Sequence, residues 1–229
     1  MEAIRPIAMP GIHGRFLEFF KAQGIEPPAR ILDVGAGHGA FTKVLYEMGY
    51  QVEACDLFPE IFHYDQVECK KVDITQEFPY ESDRFDAVIA VEVLEHILDH
   101  ENFFGEVQRI LKPKGAFFAS TPNILSLKSR MRFLLRGFYY SFKPLELENY
   151  DGLQHVVSRT LDQFNYIAIK HGFKAAQVGI DRKQSTSQWL LILLYPFIWL
   201  NKLIKGASQI HNRIPLLTGR VLFLRFNKK

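Results

Sequence analysis

The stretch Arg30-Ile31-Leu32-Asp33-Val34-Gly35-Ala36-Gly37-His38-Gly39-Ala40-Phe41-Thr42-Lys43-Val44-Leu45 decides how the rest of the chain is read. Ile31, Leu32 and Val34 form the short apolar run of a buried parallel strand; glycine then recurs at 35, 37 and 39, and a helical pattern begins. The order is strand, tight turn, helix. Glycines at such a turn let the backbone come within contact distance of a ligand. The helix opening near Gly39 aims its unpaired N–H groups and the positive end of its dipole into the same space. A nucleotide or cofactor site is expected there.

Outward from this unit, strands and helices alternate. Upstream, Ile12, Phe16, Leu17, Phe19 and Phe20 recur at helical spacing until Gly24, Pro27 and Pro28 end the pattern, so residues 1–28 are expected to form a helical cap on the sheet or the pocket. Downstream, 50–56 reads as a second strand ending in Asp56, about twenty residues beyond Gly35, an interval that suits a carboxylate binding ribose hydroxyls. A strand over 67–72 leads into Asp73 and Ile74. The strand 85–91 leads into Glu92-Val93-Leu94-Glu95-His96. A helix over 100–111 ends at Lys112-Pro113-Lys114-Gly115, and a strand over 116–121 stops at Pro122. A helix over 164–172, a strand over 173–180 and a last strand over 220–226 close the chain. This rhythm implies right-handed crossovers and one α/β domain, 1–229, with a mostly parallel sheet and helices on both faces.

At 229 residues and 48% hydrophobic, the chain can bury one substantial core, and a second full domain is not expected. A net charge of +3 is too small to argue for nucleic acid. Cys55 and Cys69 are the only cysteines, and the opening residues hold no apolar run like a signal peptide, so a reducing cytoplasmic compartment is expected. No motif requires a metal.

Two segments break the rhythm. Within 125–143, Lys128, Arg132 and Arg136 share one helical face, and Leu127, Met131, Leu134, Leu135 and Phe138 another, which makes a basic amphipathic helix inside an expected insertion, 122–155, over the pocket. Residues 189–204, Trp-Leu-Leu-Ile-Leu-Leu-Tyr-Pro-Phe-Ile-Trp-Leu-Asn-Lys-Leu-Ile, are almost wholly apolar. They fall short of the ~20 residues of a spanning helix and are interrupted by Pro196, within an apolar insertion at 185–207. Trp189, Tyr195, Trp199, Lys202 and Lys205 are types favoured at lipid head groups. Peripheral contact with the inner face of a membrane, or a homodimer interface, is expected of this segment.

Ile31-Leu32-Asp33-Val34-Gly35-Ala36-Gly37-His38-Gly39, Asp56, Val72-Asp73-Ile74, Phe85-Asp86 through Glu95-His96, and Leu111-Lys112-Pro113-Lys114-Gly115 stand in the order that resembles class I S-adenosylmethionine-dependent methyltransferases, especially the branch with ubiquinone-biosynthesis O-methyltransferases. The likeness implies a Rossmann-like seven-stranded sheet whose last strand is antiparallel, and S-adenosyl-L-methionine as cofactor. It further implies that Asp33, Gly35, Ala36, Gly37 and Gly39 hold the methionine part, that Asp56 and Leu57 meet the ribose, and that Asp73 with Ile74 meets the adenine. Val91 and Glu92 would line the opposite wall.

The reaction expected is in-line transfer of the sulfonium methyl to a small or amphiphilic, possibly lipid-linked, acceptor. If the acceptor is a hydroxyl, His96 is the first candidate base, with His155 and His13 able to reach the same pocket. Two alternatives stay open. The Gly35-to-Ala40 turn also fits a nucleotide-dependent oxidoreductase, with Tyr139, Lys143 and Ser126 at the spacing of short-chain dehydrogenases; or the fold binds cofactor and is catalytically silent.

Overall fold

The computed structural model describes residues 4–205 and 210–229. Among them β1 (Arg30–Val34), β2 (Gln51–Asp56), β3 (Cys69–Lys71), β4 (Phe85–Val91), β5 (Leu111–Pro122), β6 (Gln177–Ile180) and β7 (Val221–Asn227) form one sheet, ordered β3-β2-β1-β4-β5-β7-β6. β1 to β5 pair in parallel, and β7 lies antiparallel to both β5 and β6. This is the seven-stranded Rossmann-like sheet expected, with its last strand reversed.

Both faces are covered because neighbouring strand residues point to opposite sides. Ile31, Ile89, Phe118 and Phe223 pack with Phe16 and Phe20 of α1 (Ile12–Lys21) and with Phe41 and Leu45 of α2 (Ala40–Glu47). Their neighbours Leu32, Val88, Phe117 and Leu224 pack with Phe103 and Phe104 of α3 (His100–Ile110) and Phe164 of α5 (Leu161–Lys170). Two-sided burial is why these strands read as apolar runs with no polar alternation.

Some boundaries move. The basic helix α4 runs only over Leu127–Arg136, because Gly137 takes φ 72° and its N–H closes back on the Phe133 carbonyl. The segment after α3 enters β5 at once: Leu111 pairs with Phe85, the register shifts, and Ala116 pairs with Ala87. β3 keeps only three residues of the expected 67–72. The apolar segment forms α6, Ser185–Lys205, followed by α7, Ile214–Thr218. Residues 206 and 207 of the expected insertion and the side chains of Lys202 and Lys205 lie outside the described ones. No helix among the described residues is long and apolar enough to cross a membrane.

Candidate active site

A cavity of about 510 Å³ opens at the carboxyl ends of β1, β2 and β4, where strand order reverses and ligands of open parallel sheets bind. Gly35, Ala36 and Gly37 from the first turn, Asp56 and Leu57 after β2, Asp73 and Ile74 after β3, and Val91 and Glu92 at the end of β4 all line it. His13, His96 and His155 line it too. Thirteen residues or so that are scattered through the sequence thus face one space, whereas Asp33 and Gly39 stand behind its wall.

Asp33 is buried at 2% exposure, and Thr42 donates its hydroxyl to Asp33 Oδ2 at 2.6 Å, which ties β1 to α2. Burial, more than the nearby Asp56 charge, pushes its carboxyl up to about 7. Gly39 caps α2 with φ 82°, and a side chain on it would stand 2.7 Å from the Phe62 ring. Both residues shape the turn from behind.

Asp56 holds the turn from the front. Its Oδ2 accepts from the Gly37 N–H at 2.8 Å and its Oδ1 from the Phe58 N–H at 2.9 Å. Each carboxylate oxygen keeps a further lone pair for a ligand hydroxyl. Asp73 Oδ1 accepts from the Thr75 N–H and hydroxyl, at 3.0 and 2.7 Å, leaving Oδ2 for an exocyclic amine.

Glu92 takes φ 56°, a left-handed conformation that costs a non-glycine residue about 1 kcal/mol or more. Ser120 of β5 holds it there: its Oγ accepts from the Glu92 N–H and donates to Glu92 Oε1, both at 2.9 Å. Burial lifts the Glu92 carboxyl to about 7. Neither Glu92 nor Glu95 serves the start of α3, because Asp99 caps that helix by accepting from the Asn102 N–H.

Glu95 is 1% exposed, and neither carboxylate oxygen has a hydrogen-bond partner among the described residues; burial, and next the Glu92 charge, holds its carboxyl well above the usual range. The Glu95 carbonyl accepts from the N–H groups of Val156 and Val157, at 2.9 and 3.1 Å, which docks the segment carrying His155 onto the end of β4. His96 Nδ1 lies 3.0 Å from the Gln154 carbonyl, so Nδ1 carries the proton and Nε2 presents a lone pair. Burial lowers His96 below the usual imidazole value and takes His155 and His13 down to about 4, which keeps all three neutral. The His96 and His155 rings meet edge to face at 4.9 Å. One ligating atom each from Glu95, His96 and His155 falls within 4.8 Å of the others, so the three can take a proton or hold a divalent cation.

Two parts of the wall carried no sequence signal. Pro6, Ile7, Ala8 and Met9 form a strap over the turn, with Ile7 against Gly37 and the Arg5 carbonyl 2.9 Å from His38 Nδ1. From the far side, Ser141, Gly152 and Leu153 come down on the cavity, Gly152 against Leu57. By contrast, Ser126, Tyr139 and Lys143 are not part of the lining. Ser126 caps α4 and Tyr139 stacks on Phe133.

The methyltransferase domain family model matches residues 8–178, three quarters of the chain. A ubiquinone biosynthesis O-methyltransferase of Xanthomonas campestris pv. campestris is 32% identical over 116 residues, which cover 47% of this chain and 48% of that protein. A SAM-dependent methyltransferase structure from Archaeoglobus fulgidus superposes with TM-score 0.62 at 15% identity, covering 95% of this chain and 93% of that one. A Haemonchus contortus phosphoethanolamine N-methyltransferase 2 in complex with S-adenosyl-L-methionine gives 0.59 at 20%, covering 94% of this chain and 52% of that one. The chain therefore belongs to the methyltransferase domain family, and is a class I S-adenosylmethionine-dependent methyltransferase by fold and motif order. It spans about half the length of the curated relatives it matches.

Proposed function

We propose that the chain transfers the sulfonium methyl of S-adenosylmethionine to a hydroxyl of a small or amphiphilic acceptor. Gly35 to Gly37 receive the methionine part, Asp56 the ribose hydroxyls, and Asp73 with Ile74 the adenine, while Val91 and Glu92 close the opposite wall. Asp33 and Gly39 act at one remove by fixing the turn. The acceptor oxygen attacks the methyl carbon, the carbon–sulfur bond breaks, and the hydroxyl proton passes to Nε2 of His96. The products are the methyl ether and S-adenosylhomocysteine.

The observation that carries this is the Glu95–His96–His155 cluster at the inner end of the cavity: neutral imidazoles beside a carboxyl, with the His96 tautomer set by Gln154. Ile7, Leu57 and Leu153 line the cavity yet remain exposed, which supports an acceptor with an apolar part. Mass spectrometry of small-molecule and lipid extracts treated with the chain and isotopically labelled methyl donor tests it. A labelled ether is expected; label on nitrogen or carbon alone, or no product from a chain that binds S-adenosylhomocysteine, overturns the hydroxyl chemistry.

The same three donors support a second role, a divalent cation that lowers the acceptor hydroxyl pKa in place of a histidine base. Dialysis against a chelator separates the two. Lost turnover that returns with added metal favours the cation, and unchanged turnover favours His96.

A further inference from the structure

We infer that α6 and the end of α4 form a surface that rests on an anionic lipid bilayer. The surface is separate from the reacting groups, and the docking stands whether or not the hydroxyl chemistry holds.

Only one ridge of α6 meets the domain. Ser187, Leu191, Leu194 and Ile198, at alternating spacings of four and three, are its covered positions. The start is pinned: Ser187 Oγ accepts from the Lys128 N–H of α4, and the Gln184 N–H donates to the Thr218 carbonyl of α7. Beyond that, Trp189 is 74% exposed, Phe197 68%, Leu193 67% and Trp199 53%. Leu134 and Leu135 on the last turn of α4 add to the same apolar character at 76% and 74%. An ordinary surface helix turns polar residues outward; this one is apolar nearly all round.

Charge says what covers it. None of the chain's 25 acidic residues falls in 107–145 or in 182–229, the two stretches that build this face, although the whole chain carries only +3. Lys128, Arg132, Arg136 and Lys143 flank the first, Arg182, Lys183 and Arg213 the second. A second copy of the chain would bring one basic rim against another. An anionic bilayer complements both the rim and the apolar centre, and Trp and Tyr side chains suit the interface between them. With Pro196 inside the helix and no span of crossing length, α6 lies in the surface without traversing it.

The face also leads to the cavity. Tyr139 stacks on Phe133 of α4 at 4.5 Å, and Ser141, two residues on, lines the pocket, so a docked molecule can draw an amphiphilic acceptor from the lipid.

Trp189 and Trp199 are the only two tryptophans, so the intrinsic emission of the full chain reports on α6 alone. With phosphatidylglycerol-containing vesicles the emission shifts to the blue and is quenched by brominated acyl chains. Phosphatidylcholine vesicles have little effect, and salt weakens the shift. A Leu193→Ser, Phe197→Ser variant, altered only at exposed positions, keeps the parent's thermal midpoint and floats with anionic vesicles at least about tenfold less. Emission indifferent to vesicles, unaltered flotation of the variant, or a shift that follows protein concentration with a doubling of mass and no lipid overturns the docking. Titration with S-adenosylhomocysteine on the same samples reads the cofactor site separately.

Discussion

Burial lifts three carboxyls around one cavity, Asp33 and Glu92 to about 7 and Glu95 higher still, and each is held by a different device. The consequence for stability can be signed for Asp33. Between its ordinary value of 3.8 and about 7 the folded chain keeps a proton that the unfolded chain releases, so stability is lost as pH rises through that window. Asn at this position still accepts from Thr42 and carries no charge. Asp33→Asn is therefore expected to match the parent in thermal midpoint near pH 4 and to exceed it at pH 8, by up to ~4 kcal/mol. A lower midpoint at pH 8 contradicts the assignment. At His96 the expectation is kinetic. His96→Ala should lower kcat about 10²- to 10⁴-fold and leave S-adenosylhomocysteine affinity near the parent's, and an unchanged kcat removes His96 from the proton path.

The glycine turn and the loops above it are where local and long-range structure part company. At Gly39, φ 82° and the Phe62 ring at 2.7 Å from a built Cβ leave no room for a side chain. Gly39→Ala should cost about 1–2 kcal/mol from the backbone alone, seen as a lower thermal midpoint, together with weaker cofactor binding because the N–H groups of α2 shift. An unchanged midpoint would show that the turn relaxes freely. The turn was legible because its signals are local: Gly35, Gly37 and Gly39 sit beside a strand whose two-sided burial leaves only apolar residues. The strap Pro6 to Met9 was not legible, since nothing in four mixed residues says that Ile7 will lie on Gly37. Glu95 read as a helix-start acid because Asp99, four residues on, is an equally good cap and the pattern cannot choose between them.

Across the whole molecule the sheet sets two distances that matter. It gathers the ends of β1, β2 and β4 into one rim, and it places the additions to the sheet, the segment after β5 and α6 after β6, beyond that rim. The apolar character of α6 was legible as composition, and its exposure as an expectation from the little sheet left for it to cover; the anchoring at Ser187 and the acid-free stretches give that exposure a direction. Everything chemical still depends on the cofactor lying against Asp56. Calorimetric titration of S-adenosylhomocysteine into the parent and into Asp56→Ala measures that directly. A one-to-one isotherm for the parent, weakened at least about tenfold by the loss of a charge-assisted ribose contact, is the predicted result. Absent binding to the parent, equal affinity in the variant, or heat from NAD alone contradicts it.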